Sequence, residues 1–314
     1  MFISSTGAQA DQWTLHVEHL RTSLLARTDG DERRLYLLVD TRAEPDLQLQ
    51  WAGESDWRYV SLWDGMPTSS YGDIAPYLIA ITPAMLDGSD SRHNALRRIW
   101  EKTVDRPMLT WIASPFDLDE IAGHLRRFCT FRNTALRLFY LHFYDNRVLL
   151  RLHQGFEPAM WQAFIAPFNA LMIRDRRRRP LVWCNPLPPS YVPDATPLML
   201  SDAQHRKLLK AGYPDKLAMQ LRRVCDVSEE EVPEADWIEG VEVQLARAAA
   251  YGLKREQVLA RYVVLGMLVS PTFDEHPAVR QALQPLADGE DEAATLDAVE
   301  RIVEQYVDEL TAHS

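Results

Sequence analysis

The sequence predicts an α/β lobe followed by an all-helical lobe. Three observations carry this reading. Residues 35–39 (LYLLV), 77–81 (YLIAI) and 109–113 (LTWIA) have the length and composition of buried strands. Amphipathic stretches of helical spacing lie between them, the alternation expected of an α/β domain. Beyond Ser201 the strand-like runs cease and apolar residues recur at helical spacing. The expected organisation is an α/β lobe over 1–178, with a mixed sheet flanked by helices, then a proline-rich connector over 179–200 and a helical lobe over 201–314.

Taken in order, residues 11–26 place Trp13, Val17, Leu20, Leu24 and Leu25 on one helical face, and Asp29-Gly30-Asp31 breaks the helix. The first buried strand ends at Asp40. Residues 46–51 read as a helical turn. Residues 57–63 (WRYVSLW) alternate weakly and read as a short strand closed by the turn signal Asp64-Gly65. Pro76 introduces the next strand. A helix over 93–104 turns Leu96, Ile99 and Trp100 inward, and the strand 109–113 follows.

The best-signalled helix comes next, with Ser114 as expected N-cap, Pro115 at the first helical position and Asp117 three residues after the cap. Leu118, Ile121, Ala122, Leu125 and Phe128 form its stripe, and Arg126 and Arg127 oppose the negative end of its dipole. Residues 136–144 (LRLFYLHFY) are apolar or aromatic on both faces, which predicts a strand in the middle of the sheet. The polar corner Tyr144-Asp145-Asn146-Arg147 ends it, and Asp145 is expected to accept bonds from the turn or from Arg147. Residues 158–172 carry Trp161, Phe164, Ile165 and Phe168 at helical spacing, with a kink expected at Pro167. The strand order does not follow from these patterns.

The charged cluster 174–179 and the prolines Pro180, Pro186, Pro188, Pro189, Pro193 and Pro197 mark the connector. Trp183, Tyr191 and Val192 imply that it packs on a domain, and a short strand at 181–184 fits within it. Ser201 to Gln204 resembles a capping box opening a helix over 202–211. Further helices are expected at 216–224, 237–251, 255–269 and 294–310. From Asp226 to Glu309 acids outnumber bases about threefold. That skew fits a solvated face or a docking surface for a basic partner.

Composition bounds the function. The chain has 314 residues and a formal net charge of −11, which disfavours a broad grip on a phosphate backbone. No apolar run is long enough to cross a bilayer. The first residues lack the pattern of a secretion signal. Cys129, Cys184 and Cys225 are scattered and unpaired in motif, which suits a reducing cytoplasm. No dinucleotide, phosphate-loop, zinc-protease, nucleophile-elbow or calcium motif is present. His16 and His19 lie one turn apart on the first helix, as two metal ligands would, but no third ligand stands at a recognised spacing, so exposed or capping histidines are the better reading. His142 lies near Asp145, and a His-Asp pair orients a base, yet no serine or cysteine nucleophile is tied to it. The arginines 176–179 suit phosphate or an acidic partner. Trp57, Trp63 and Trp161 suit a groove or, better, a core. No catalytic residue, metal or cofactor is assigned.

Five segments occur in an order that resembles a bacterial family. They are 35–40 (LYLLVD), 62–67 (LWDGMP), 75–78 (APYL), 124–128 (HLRRF) and 143–149 (FYDNRVL). The family is that of the type VI secretion effector adaptors, also called Tap or Tec proteins, once labelled only as a domain of unknown function. The resemblance spans about residues 35–172. Tyr251-Gly252-Leu253 through Phe273-Asp274-Glu275-His276-Pro277 looks like the helical tail of many members. One departure is Asn146, where the family usually has proline. Its motifs place Asp40, Trp63, Asp64, Gly65, Pro76, Tyr77, Tyr144, Asp145 and Arg147 as mainly structural residues.

The resemblance implies a cytoplasmic adaptor or chaperone without enzymatic activity. Its partners would be a cognate effector and the valine-glycine repeat (VgrG) spike, with no nucleic acid and no membrane. Two other readings stand beside it. One is a hydrolase or transferase using His142 and Asp145, which requires a cleft where both meet a nucleophile. The other is a structural or regulatory binding module.

Overall fold

The computed structural model describes residues 6–26, 33–52, 56–191, 196–284 and 291–311. The break expected at 29–31 and the packing expected of Val192 lie outside them. The chain divides into two compact units, Met1–Leu209 and Lys210–Ser314. The first contains α1 (Thr6–Ser23), β1 (Arg34–Asp40), β2 (Tyr59–Ser61), β3 (Pro76–Ile81), α2 (Pro83–Asp87), α3 (His93–Thr103), β4 (Leu109–Ser114) and α4 (Leu118–Arg127). It continues through β5 (Thr130–Arg132), β6 (Leu138–Tyr140), α5 (Asn146–Gly155), α6 (Pro158–Ile165), β7 (Ala170–Arg174), β8 (Pro180–Cys184) and β9 (Leu198–Met199). Short 3-10 turns lie at Pro45–Gln50 and Gly72–Ile74. The first unit closes in α7 (Asp202–Val224), within which the division falls.

Six strands form one antiparallel sheet in the order β2-β3-β1-β4-β7-β8. The three apolar runs are three of its four inner strands, β3, β1 and β4, and covering on both faces explains their unbroken hydrophobicity. Leu37 lies in register with Ile79 on one side and Trp111 on the other. Trp111 meets His16 of α1 at 5.4 Å, and Trp13 meets Trp100 of α3 at 5.5 Å, so α1 and α3 cover that face. Tyr36, of opposite parity, donates its hydroxyl to the Phe116 carbonyl ahead of α4. The mixed character of the lobe comes from a second, three-stranded sheet, where β5 pairs antiparallel with β6 and parallel with β9.

Several local expectations are corrected. The aromatic run 136–144 is not a central strand. Only Leu138–Tyr140 is extended, at the edge of the small sheet, with Leu138 and Tyr140 exposed. Phe139 stacks on Phe131 beneath, so burial alternates although hydrophobicity does not. After the corner the chain turns into α5. The cap of α4 is Asp117, three residues beyond Ser114. Its carboxylate accepts the Asp119 and Glu120 N–H groups, and Glu120 accepts the Asp117 N–H, a complete capping box. Ser114 is a strand residue whose hydroxyl donates to the Pro167 carbonyl.

The helix expected over 158–172 stops at Ile165. Asn185 donates its amide to the carbonyls of Ile165, Ala166 and Phe168, holding a turn that sends the chain into β7. The arginine cluster is the tip of the β7–β8 hairpin, where Asp175 accepts from Arg179 and Arg178 takes a left-handed conformation. The connector expected over 179–200 is therefore partly sheet. Pro180 sits at the first residue of an edge strand, a position that needs no donor. The helices expected at 202–211 and 216–224 form one helix with Pro214 inside it. Ser201 and Gln204 cap it reciprocally.

The second unit adds α8 (Glu234–Ala250), α9 (Glu256–Leu268), α10 (Pro277–Ala282) and α11 (Glu292–Thr311). Gly252, at φ 82°, ends α8. Asp274 is the hub of this unit, with its carboxylate almost wholly buried. Tyr262 of α9 donates its hydroxyl to it at 2.7 Å, and Arg247 of α8 donates through Nε at 3.0 Å. Replacing Asp117 by alanine removes the acceptor of the Asp119 and Glu120 N–H groups and leaves the half in which Glu120 accepts a backbone N–H. Urea unfolding is expected to show a loss of about 1 kcal/mol, while the same change at the exposed non-capping Asp119 stays within about 0.5 kcal/mol.

Candidate functional site

The residues singled out by motif converge on one end of the large sheet. β1 ends at Asp40, whose N–H donates to the Met108 carbonyl at 2.9 Å. Its carboxylate accepts the Arg42 N–H at 3.1 Å and the Arg42 guanidinium at 2.6 to 3.2 Å. Arg42 also reaches Asp145, with Nη2 3.5 Å from Oδ2, and lies 5.0 Å from the Tyr144 ring centroid. Asp145 repeats the local geometry of Asp40. It accepts the Arg147 N–H at 2.9 Å, capping α5, and binds the Arg147 guanidinium at 2.9 to 3.0 Å. Asp90 and Arg92 form the same Asp-x-Arg unit elsewhere.

Aromatic and amide groups frame these charges. Trp63 meets the Tyr144 ring edge-on at 6.4 Å. The Tyr144 hydroxyl lies 2.6 Å from His142 Nδ1. Asn146 is buried, accepts from the Thr110 hydroxyl and donates to the Leu109 carbonyl, which ties α5 to β4. The remaining motif residues brace adjoining loops. Gly65 takes φ 76° in the turn after Trp63, and Asp64 lies 3.7 Å from Arg126. Arg126 also donates to the Ser61 carbonyl. Pro76 opens β3, and Tyr77 donates to the Gly72 carbonyl at 2.7 Å.

The electrostatics suit a brace. Burial alone would raise the Asp145 carboxyl, but the Arg147 bonds and the Arg42 charge outweigh it and hold the group below its ordinary value. Arg42 is raised because Asp40 and Asp145 outweigh its desolvation. Burial and Arg42 lower His142, leaving a neutral ring at pH 7. Burial raises Tyr144 and keeps it protonated. Both carboxylates are engaged by guanidinium groups, and the described partner of His142 is Tyr144 instead of Asp145.

The other candidates fall elsewhere. His16 is a core residue, stacked on Trp100 at 5.5 Å. Burial, with Arg174 and His19 nearby, pushes it down to about 3. His19 faces Ser23. Among the described residues no group of three or more His, Cys, Asp and Glu side chains is placed to hold a metal. Trp57 and Trp63 are buried, and Trp161 packs against His153 and Trp183. Arg178 pairs with Asp105 at 2.8 Å. Cys129 is buried, its thiol pushed up to about 12, whereas Cys184 is exposed. Sequence reasoning missed Arg42, the cation shared by both carboxylates. The repeated Asp-x-Arg spacing at Asp40, Asp90 and Asp145 was the available signal.

Fold and cluster together define an antiparallel α/β domain braced by ion pairs at one sheet end, with a helical unit after it. Residues 35–163 match the family described as Domain of unknown function (DUF4123). No curated protein and no solved structure matches the chain. Among the described residues no helix is long and apolar enough to cross a membrane.

Asp145→Ala is expected to cost about 2–3 kcal/mol in urea unfolding, more than a lost cap alone, because Arg42 and Arg147 are left without their shared anion. Asp145→Asn keeps a capping acceptor and should cost less. His16 generates a pH dependence. Its folded value lies below its unfolded one, so the unfolded chain takes up the proton first as pH falls. Stability should be undiminished above about pH 7 and drop by a few kcal/mol toward pH 4. His16→Phe should flatten that drop in denaturant titrations across the pH range.

Proposed function

We propose that the protein is a cytoplasmic adaptor without catalytic activity. It binds a cognate type VI secretion effector and helps load it onto the VgrG spike. The observation that carries this reading is the order of the five motif segments, all of which fall within the 35–163 family match. The braced sheet end supports it, since motif residues that hold loops in place suit a binding scaffold. The alternative base pair of His142 and Asp145 gains nothing from the geometry, because Tyr144 engages the imidazole.

The helical unit supports a separate contact. Acids and bases balance over 1–209, so the whole net charge of −11 resides in 210–314. Within that unit an apolar groove of about 530 Å³ runs between α9 and α11. Val264, Leu265, Val269 and Val303 line it, with Arg261, Glu300 and Glu304 at its rim. An amphipathic effector segment with basic flanks complements such a groove. In this reading the α/β unit contacts the spike and the helical unit selects the client.

Deleting the gene should abolish delivery of one effector while the sheath still contracts and other effectors leave. Loss of all secretion would instead make the protein a core part of the machine. Exchanging 210–314 for the same region of a relative should redirect co-purification of effectors and leave spike binding intact. Unchanged client choice after the exchange would refute the division of labour.

A further inference from the structure

The small sheet carries a face and an edge that the brace does not use. Leu138 lies opposite Arg132, Arg132 lies beside Met199, and Thr130 lies opposite Tyr140, so these five side chains share one face. That face is open: Leu138 is 48% exposed, Tyr140 41% and Met199 45%. The opposite face is closed by Phe131 and Phe139, stacked at 5.1 Å and packed on His205. Burial of one side thus forces these apolar groups onto the other.

The edge follows from the register. The Asn133 N–H donates to the Arg137 carbonyl and the Leu141 N–H to the Cys129 carbonyl. Antiparallel bonding alternates, so Arg137, Phe139 and Leu141 bond to β5 while the N–H and C=O groups of Leu138 and Tyr140 point away from it. Among the described residues β6 has β5 as its one neighbour in the sheet. The hairpin tip adds a second anomaly. Leu136 takes φ 59° and is 63% exposed, an apolar β-carbon where glycine or asparagine is preferred. Arg132 holds it there by donating to its carbonyl at 2.9 Å.

The surrounding charge selects the partner. The β5–β6 hairpin, residues 130–140, contains Arg132 and Arg137 and neither Asp nor Glu, in a chain of net charge −11. Arg137 has the parity opposite to Leu138 and Tyr140. A strand added to β6 would therefore set one row of its side chains beside Leu138 and Tyr140 and the other row beside Arg137. We infer that β6 is a docking edge for an extended segment of a partner protein in which acidic and apolar residues alternate. Main-chain bonds to Leu138 and Tyr140 supply the affinity, and the alternation supplies selectivity. This inference rests on the geometry of the small sheet and stands whether or not the adaptor role holds.

The test uses the full chain and a capped, fluorescein-labelled peptide in which glutamate alternates with valine, read by anisotropy. The peptide is expected to bind. Its lysine–valine counterpart and a version N-methylated on alternate residues should each bind at least about tenfold more weakly. Leu138→Ser with Tyr140→Ser should weaken binding to a similar extent, as should Arg137→Glu. Leu136→Gly guards against loss of fold, because glycine accepts the left-handed conformation. It should leave the melting temperature unchanged or raised while binding falls. Equal binding of the acidic and basic peptides, or indifference to Leu136→Gly and to the double serine variant, overturns the proposal. Sedimentation showing a dimer that the double serine variant dissolves would assign the edge to a second copy, and would overturn it too.

Discussion

One carboxylate fixes how the sheet end is closed. Asp145 caps α5, binds Arg147 within its own turn and receives Arg42 from just beyond β1. Without that anion the guanidinium of Arg42 would have Asp40 alone, and the exit of β1 would lose its tie to the start of α5. Ion pairs that are partly dry gain little net stability, because desolvation offsets most of their attraction. What this one supplies is position. Asn146, next in sequence, is held by Thr110 and the Leu109 carbonyl, so the same corner also registers α5 against β4. The aromatic groups Tyr144 and Trp63 then pack against a frame already set by charge.

The sequence reading succeeded where one force acted alone. β1, β3 and β4 are legible because a strand covered on both faces must be apolar throughout. The stripes of α3, α9 and α11 are legible because a helix with one wet side must show its period. It failed where local and tertiary demands conflict. Residues 136–144 look central by composition, yet Leu138 and Tyr140 are apolar and exposed, which no burial rule anticipates. Prolines misled in both directions. Pro167 suggested a kinked helix where the chain turns into β7. Pro180 stood in the expected connector, where the short strand expected at 181–184 is β8, and the helices expected at 202–211 and 216–224 run on as one α7. The candidate site was legible as a set of residues but not as a place. Asp40 and Asp145 lie far apart in sequence, and only the pairing of β1 with β4 brings their segments together.

The two units solve the same problem with different cores. In the first, a sheet supplies the order and ion pairs close its end. In the second, Asp274 draws α8 and α9 onto the short turn that carries it, and Tyr262 fills the space between. A buried anion with one cation and one hydroxyl donor is satisfied, so it costs less than an isolated charge would. The residues around Asp274 are those whose sequence resembled a family tail.

The ends of the large sheet bear on how the protein behaves when crowded. One end is β2, only three residues long, and the other is β8, which opens with Pro180. A short edge and a proline-led edge are poor templates for adding foreign strands. The six-stranded sheet, which holds the most aggregation-prone runs in the chain, is therefore shielded from growth at both margins. Growth by strand addition is thus kept off the large sheet, and the edge left open to an added strand is β6 of the small one.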